Sequence, residues 1–246
     1  MANTEKLLLS ILFFVCSGAL AESTAPAGPR LTWWNDVPGL LNQQHQESLA
    51  CIGALLAQTP PAHEVSLGRR AALLLLDNVL HELDAPTRPA VQRFFVERTK
   101  IVADALKQGR PAEGARMWKL YNHGFIVQTA SATIAFDLVT GKHVRDEGFS
   151  LSDDLVDAFA RQCDILFISH AHGDHADPHV AEVFVREGKP VCVPERIWKS
   201  QPFAPGLTRL QRSVDIVHTV TLRGGADKVD VINYPGHQGE VVPNNV

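Results

Sequence analysis

Cysteine is scarce in this chain, with 4 among 246 residues and no pair at CxxC spacing. Neither a disulfide framework nor a cysteine zinc knuckle is therefore suggested. Glycine (17) and proline (15) are too few for a collagen-like chain. A net charge of -4 beside 45% hydrophobic residues is likewise too modest for a disordered one. There is no excess of positive charge to neutralise phosphates, which argues against nucleic-acid partners. Internal repeats and low-complexity tracts are also missing. The composition fits a globular protein of one domain, or one domain plus an appendage.

The marked apolar run at the start of the chain covers residues 7–20, interrupted by Ser10, Ser17 and Gly18. Lys6 precedes it, and Ala19, Leu20 and Ala21 supply the small-x-small pattern that signal peptidase reads. This predicts a signal peptide over residues 1–21, cleaved after Ala21, and a secreted or periplasmic mature protein. The run is shorter than the about 20 apolar residues a permanent span needs, so no stable membrane span is expected after cleavage. Cleavage removes Glu5 and Lys6 together and leaves the net charge at -4. Cys51, Cys163 and Cys192 remain, an odd number. Cys163 and Cys192 border apolar runs and read as small buried hydrophobes. One disulfide stays open, with no pair selected.

Residues 22–110 read as a helical region. After a Pro- and Ala-rich stretch at 25–29, Leu73, Leu76, Leu80 and Leu83 recur at helical steps. So do Val91, Phe94, Phe95, Ile101, Val102, Ala105 and Leu106, with Arg98 as a polar exception. Pro86 and Pro89 separate the two helices, and Gly109 followed by Pro111 stops the second. The region is expected to be a helical cap on the domain formed by residues 111–246. From Arg116 the period changes. Residues 117–121, 125–129 and 133–136 read as strands, with 130–132 a tight connection. Ser150 and Asp153 resemble a capping box opening a helix that turns Leu155, Val156 and Phe159 inward. The apolar run 164–169 reads as a buried strand, 179–187 as a helix, and strands are expected near Val191, Val214 and Val229. The fold class is α/β (α+β), with helices on sheet faces.

Directly after the run at 164–169 come His170, His172, Asp174 and His175, in the order HAHGDH. Four of the 11 histidines fall between positions 170 and 179. By chance an HxHxDH match arises in about one such sequence per thousand. Imidazole and carboxylate are good ligands for divalent metals, and a loop leaving a strand end can aim successive side chains at one point. A step of two puts His170 and His172 on one side, while the turn at Gly173 lets Asp174 and His175 face a second point. Far downstream, the strand expected over residues 229–234 runs into a Pro-Gly-His loop carrying His237. Strand ends feeding loops are where α/β folds place ligands, so His237 is a fifth candidate.

The order of hairpin, strand, SHAHGDHAD and later PGH resembles the metallo-β-lactamase superfamily over residues 116–246. YNHGFIVQT followed by TIAFDLVTG is similar to the hairpin that opens that fold. The resemblance implies an αββα sandwich with one or two metals along one edge. By position, His170, His172 and His237 would hold the first metal, while Asp174 and His175 would contribute to the second. Asp137 would match an acidic residue that braces the metal loop. Zinc is the expected metal, with iron or manganese as alternatives. The family continues to a bridging aspartate and a final histidine, whereas here no Asp follows Asp230 and no His follows His237. This implies a domain incomplete at its C-terminus. Its sheet would need cover from another chain, a homo-oligomer included, or from the N-terminal helices.

The implied function is exported, metal-dependent hydrolysis of a small-molecule ester, lactone, lactam or phosphodiester. The opposing expectation is a non-catalytic product, either a metal-binding half-domain or a helical interaction module. Asp174 either ligates the second metal or orients the attacking water as a catalytic residue. His179 is expected to face solvent; His123, on the hairpin beside Gly124, either lines the pocket or, as the favoured expectation, is a hydrogen-bonded loop histidine. Asp177 is balanced between buttressing a ligand histidine and capping a helix. For Asp137, loop support and a plain strand end weigh equally.

Overall fold

The chain opens with helices whose ends are set by local chemistry. The structure, a computed structural model, describes residues 36–236 except 83, 122, 142–149, 226 and 235. The expected signal peptide, Leu83 and His237 lie outside the described residues. Helix α1 (Val37–Gln58) is capped by the Asp36 carboxylate, which accepts from Gly39 N at 2.8 Å. In α2 (Leu67–Leu80) the Ser66 hydroxyl accepts from Arg69 N. Helix α3 (Pro89–Lys107) starts on a proline whose missing N–H is an orphan there in any case, and Gly109 stops it at φ 91°. A short turn with Pro86 lies between α2 and α3, as the two prolines predict.

Leu49, Ile52 and Leu56 of α1 pack against Ala90, Val91 and Phe94 of α3. Toward this core α2 contributes Ala72 and Val79 rather than the expected leucine stripe: Leu73 and Leu80 are 43% and 36% exposed, and Leu76 is partly buried. The reason lies in the run of four leucines at 73–76, which makes neighbouring azimuths of the helix equally apolar, so periodicity selects no face. His45, given no role by its spacing, is buried between helices, 3.2 Å from Glu82 Oε1 and 2.7 Å from an Arg88 guanidinium nitrogen.

The second half is built on a mixed sheet in sequential order β1 (Ala115–Lys119), β2 (Phe125–Thr129), β3 (Thr133–Phe136), β4 (Ile165–Phe167), β5 (Val191–Pro194) and β6 (Leu207–Leu210). The first two pairings are antiparallel and the next three parallel. Two helices make the parallel crossovers: α4 (Asp153–Gln162) between β3 and β4, and α5 (Pro178–Arg186) between β4 and β5. They cover one face with Leu155, Val156, Phe159, Val180 and Phe184, joined by Val102, Ala103 and Leu106 from the second half of α3. Phe159 and Phe184 are fully buried, and such a side chain contributes about 1.5–3 kcal/mol by leaving water. On the opposite face, a hairpin of β7 (Val217–Thr221) and β8 (Lys228–Ile232) lays Val220, Val229 and Val231 over Ile165, Cys192 and Leu210. The two layers leave a mostly apolar cleft of about 340 Å³ between them.

Two expectations need correcting here. The cap of α4 is Ser152, not Ser150: the Ser152 carbonyl accepts from Leu155 and Val156, and Asp153 and Asp154 place negative charge in the first turn. Val214 sits in a turn, and the strands near it are β6 and β7, because Ser213 N bonds Asn233 O and bends the chain before β7 begins. Strand β6, four residues after a Pro-Gly turn, is too short to show a period. Cys163 and Cys192 are free and buried, one in the core under the helices and the other in the core under the hairpin.

Candidate metal centre

Parallel strands β3 to β6 all end on one edge of the sheet, and the turn joining β1 to β2 returns to the same edge. Asp137 is the first residue beyond β3. It adopts φ 45°, a left-handed conformation that Asp and Asn enter more readily than most residues. Its backbone N donates to Phe167 O of β4 at 2.9 Å. Its carboxylate accepts from Ser169 N at 2.7 Å and from the Ser169 hydroxyl at 2.6 Å, and lies 2.8 Å from His175 Nδ1. Asp137 thus ties the end of β3 to both ends of the HAHGDH loop, as a loop brace rather than a plain strand end.

The loop itself is closed by a helical turn, with His175 N and Ala176 N both donating to His172 O. That turn gathers the rings. His170 is 5% exposed, its Nδ1 3.0 Å from the Ser169 hydroxyl and its Nε2 3.1 Å from His172 Nδ1. The His170 and His175 ring centroids are 3.9 Å apart. With Nδ1 of His175 donating to Asp137, Nε2 carries the available lone pair, and it lies 3.7 Å from Asp174 Oδ2.

A residue not expected among the ligands joins them. His123, in the β1–β2 turn, stacks on His175 with ring centroids 4.3 Å apart and an interplanar angle of 11°. Its Nε2 is 3.5 Å from Asp174 Oδ2. His123, Asp174 and His175 each offer a ligand atom within 4.8 Å of the others, a group that can hold a metal ion. Glycine at 124 permits the approach: a Cβ there would lie 3.2 Å from the Asp137 carbonyl oxygen.

Burial lowers the pKa of His170, and His175 and His172 lower it further, against the opposing pull of Asp137 and Asp174. Burial also lowers that of His123, with His175 adding to the effect and Asp174 opposing it. Both rings therefore favour the neutral form, which is the form that ligates. Burial raises the Tyr121 phenol, helped by the Asp174 charge. Among the described residues, the hydrogen bonds of Asp177 run to Thr140 and to the start of α5 rather than to His170, His172 or His175. Its Oδ2 accepts from Thr140 N and Oγ1, and its Oδ1 from His179 N and Val180 N, so it caps α5 and fastens the segment after β3. His179 pairs with Asp153 at 3.1 Å, away from the cluster.

The structure thus brings His170, His172, Asp174 and His175 together. His237 lies outside the described residues, although the Gly236 carbonyl before it accepts from Arg212 at 3.0 Å. His123 was missed because a lone histidine in a turn has no ligand spacing, and only strand pairing places it over the loop. Comparison with known proteins returned no matching family model, no matching curated protein and no matching solved structure.

Proposed function

We propose that this chain is an exported, metal-dependent hydrolase of the metallo-β-lactamase superfamily. One observation carries the reading: His170 Nε2 and His172 Nδ1 converge to 3.1 Å beside Asp174 and His175, in a loop braced by Asp137 at the carboxyl ends of parallel strands. A cluster of imidazoles, with burial favouring the neutral form of His170 and a carboxylate fixing the tautomer of His175, suits zinc better than calcium or magnesium, which prefer oxygen. Iron or manganese is accepted by the same donors. The layering of helices, sheet and hairpin accords with the first part of an αββα sandwich. Export rests on the N-terminal pattern alone; among the described residues no helix is long and apolar enough to cross a membrane.

His170, His172 and His237 would hold the first metal, and Asp174 and His175 would contribute to the second. A bound divalent cation would supply the chemistry, lowering the pKa of water to about 7 and polarising a carbonyl or phosphoryl oxygen. Asp137 keeps the His175 proton on Nδ1. Ser169, sharing its hydroxyl between Asp137 and the Nδ1 atoms of His170 and His175, fixes ring orientation. Asp174 is placed to accept a proton or orient water. A small-molecule ester, lactone, lactam or phosphodiester is the substrate class.

The test is zinc stoichiometry together with hydrolysis of chromogenic representatives of those four bond types. Wild-type chain is expected to bind one or two zinc ions and to lose hydrolysis with chelator, while the His170→Ala/His172→Ala double variant loses hydrolysis and at least one ion. Absence of stoichiometric zinc in the wild type, or unchanged uptake in the double variant, rejects the reading in favour of a non-catalytic chain.

A further inference from the structure

We infer that His123 is a metal ligand, closing the second metal position with Asp174 and His175, so that one ion bridges the β1–β2 turn and the HAHGDH loop. This rests on the metal-dependent reading of the same centre and extends it to a residue that no ligand motif in the sequence contains.

The argument is geometric. Around a tetrahedral zinc ion with ligand bonds of about 2.0–2.1 Å, ligand atoms stand about 3.4 Å from each other. Asp174 Oδ2 lies 3.5 Å from His123 Nε2 and 3.7 Å from His175 Nε2, already close to that spacing. The remaining separation, within 4.8 Å, is wider than that spacing and would have to close by rotation of the exposed His123 ring. The opposite nitrogen of His175 is committed to Asp137 at 2.8 Å, so its Nε2 can only face the group. Two imidazoles and one carboxylate leave an open position, the usual arrangement of a catalytic zinc site.

The backbone holds His123 in place on its own account. Leu120 N donates to Gly124 O at 2.8 Å, and Gly124 N to Tyr121 O at 3.3 Å, closing the turn that presents the ring. The close approach of Gly124 to the Asp137 carbonyl then sets the turn directly over the residue that braces the loop. One carboxylate therefore supports His175 from below while the neighbouring turn brings His123 from above. His170 and His172 are not part of this group of three, and their own nitrogens face each other at 3.1 Å.

The full chain, stripped with chelator and titrated with zinc and separately with cobalt(II), decides the matter. The inference expects His123→Ala to lose one metal equivalent, or to bind it at least about 100-fold more weakly, a penalty no smaller than that for removing an outer partner of a ligand. The cobalt d–d spectrum should change, while zinc at the His170 and His172 position stays. His123→Gln, which keeps bulk in the turn, should behave alike. The side chain is 53% exposed, and circular dichroism of the metal-free variants should match the wild type. If wild type binds metal and both variants keep its stoichiometry, affinity and spectrum, His123 is no ligand and the hydrolase reading survives. If wild type binds none, that reading fails and takes the inference with it.

Discussion

At the scale of single residues, Asp137 is the side chain that braces the histidine loop, and the proposed centre would depend on it without its being a ligand. Asparagine tolerates the same left-handed backbone, so Asp137→Asn tests the carboxylate rather than the chain path. An amide keeps one acceptor for Ser169 N, but its NH₂ faces the Ser169 hydroxyl or His175 Nδ1, and the His175 tautomer is no longer fixed. Zinc affinity measured by competition with a chromophoric chelator should fall about 10–100-fold. Undiminished affinity would reduce Asp137 to the end of a strand. The cysteines separate as cleanly. Burial pushes the thiols of Cys163 and Cys192 up to about 12, whereas Cys51 is exposed. Among the three cysteines of the described residues, a maleimide at neutral pH should label Cys51 alone in native protein and the other two after unfolding, read by mass spectrometry. The clustering of residues 170–175 was legible because their spacing is itself the geometry of a loop at a strand end. His123 was not, because its meaning depends on a partner 51 positions away brought near by strand pairing.

At the scale of elements, strands β2 and β3 fall where the alternation of aromatic and β-branched residues places them, and α5 within a residue of its expected span. What the pattern missed, it missed for physical reasons. The leucine run of α2 carries no directional information, so the side facing α1 was settled by tertiary contact through the small Ala72. Two serines near α4 offer equivalent caps, and the chain path chose Ser152. Asp177 shows how a cap can do more than start a helix, since the same carboxylate fastens the segment after β3 to α5. Replacing it with alanine removes an N-cap worth about 0.5–2 kcal/mol. It also removes the carboxylate that accepts from Thr140 N, at about 1–3 kcal/mol. Urea unfolding of Asp177→Ala should therefore show a loss of about 1.5–5 kcal/mol. Zinc affinity should stay near the wild-type value wherever the variant is folded. A large drop in affinity with intact stability would restore Asp177 as a support of the ligands.

At the scale of the whole molecule, metal binding on the proposed reading would be linked to folding, because the proposed ligands come from the β1–β2 turn and the loop after β4 and are brought together only when the sheet is formed. An ion that binds the folded chain and not the unfolded one stabilises it by about 2.7 kcal/mol at a free concentration 100 times its Kd. For a chain of this length that corresponds to a rise in Tm of about 5–10 °C over the chelated protein. The gain should depend on pH with a definite sign. Folding lowers the pKa of His170 and His123 below the ordinary 6.5, so between the depressed folded values and 6.5 the unfolded chain binds more protons than the folded one. Their contribution to the stability of the metal-free chain is therefore complete above pH 6.5 and is lost as the pH falls through that window. Protons compete for the same ring nitrogens, so the zinc-dependent part of Tm should shrink over the same range. Melting curves at pH 7.5 and pH 5.5, each with zinc and with chelator, measure both effects. Equal Tm with and without zinc at pH 7.5 would mean that the gathered imidazoles are held by Asp137 and Ser169 alone, and that the centre is a hydrogen-bonded knot rather than a metal site.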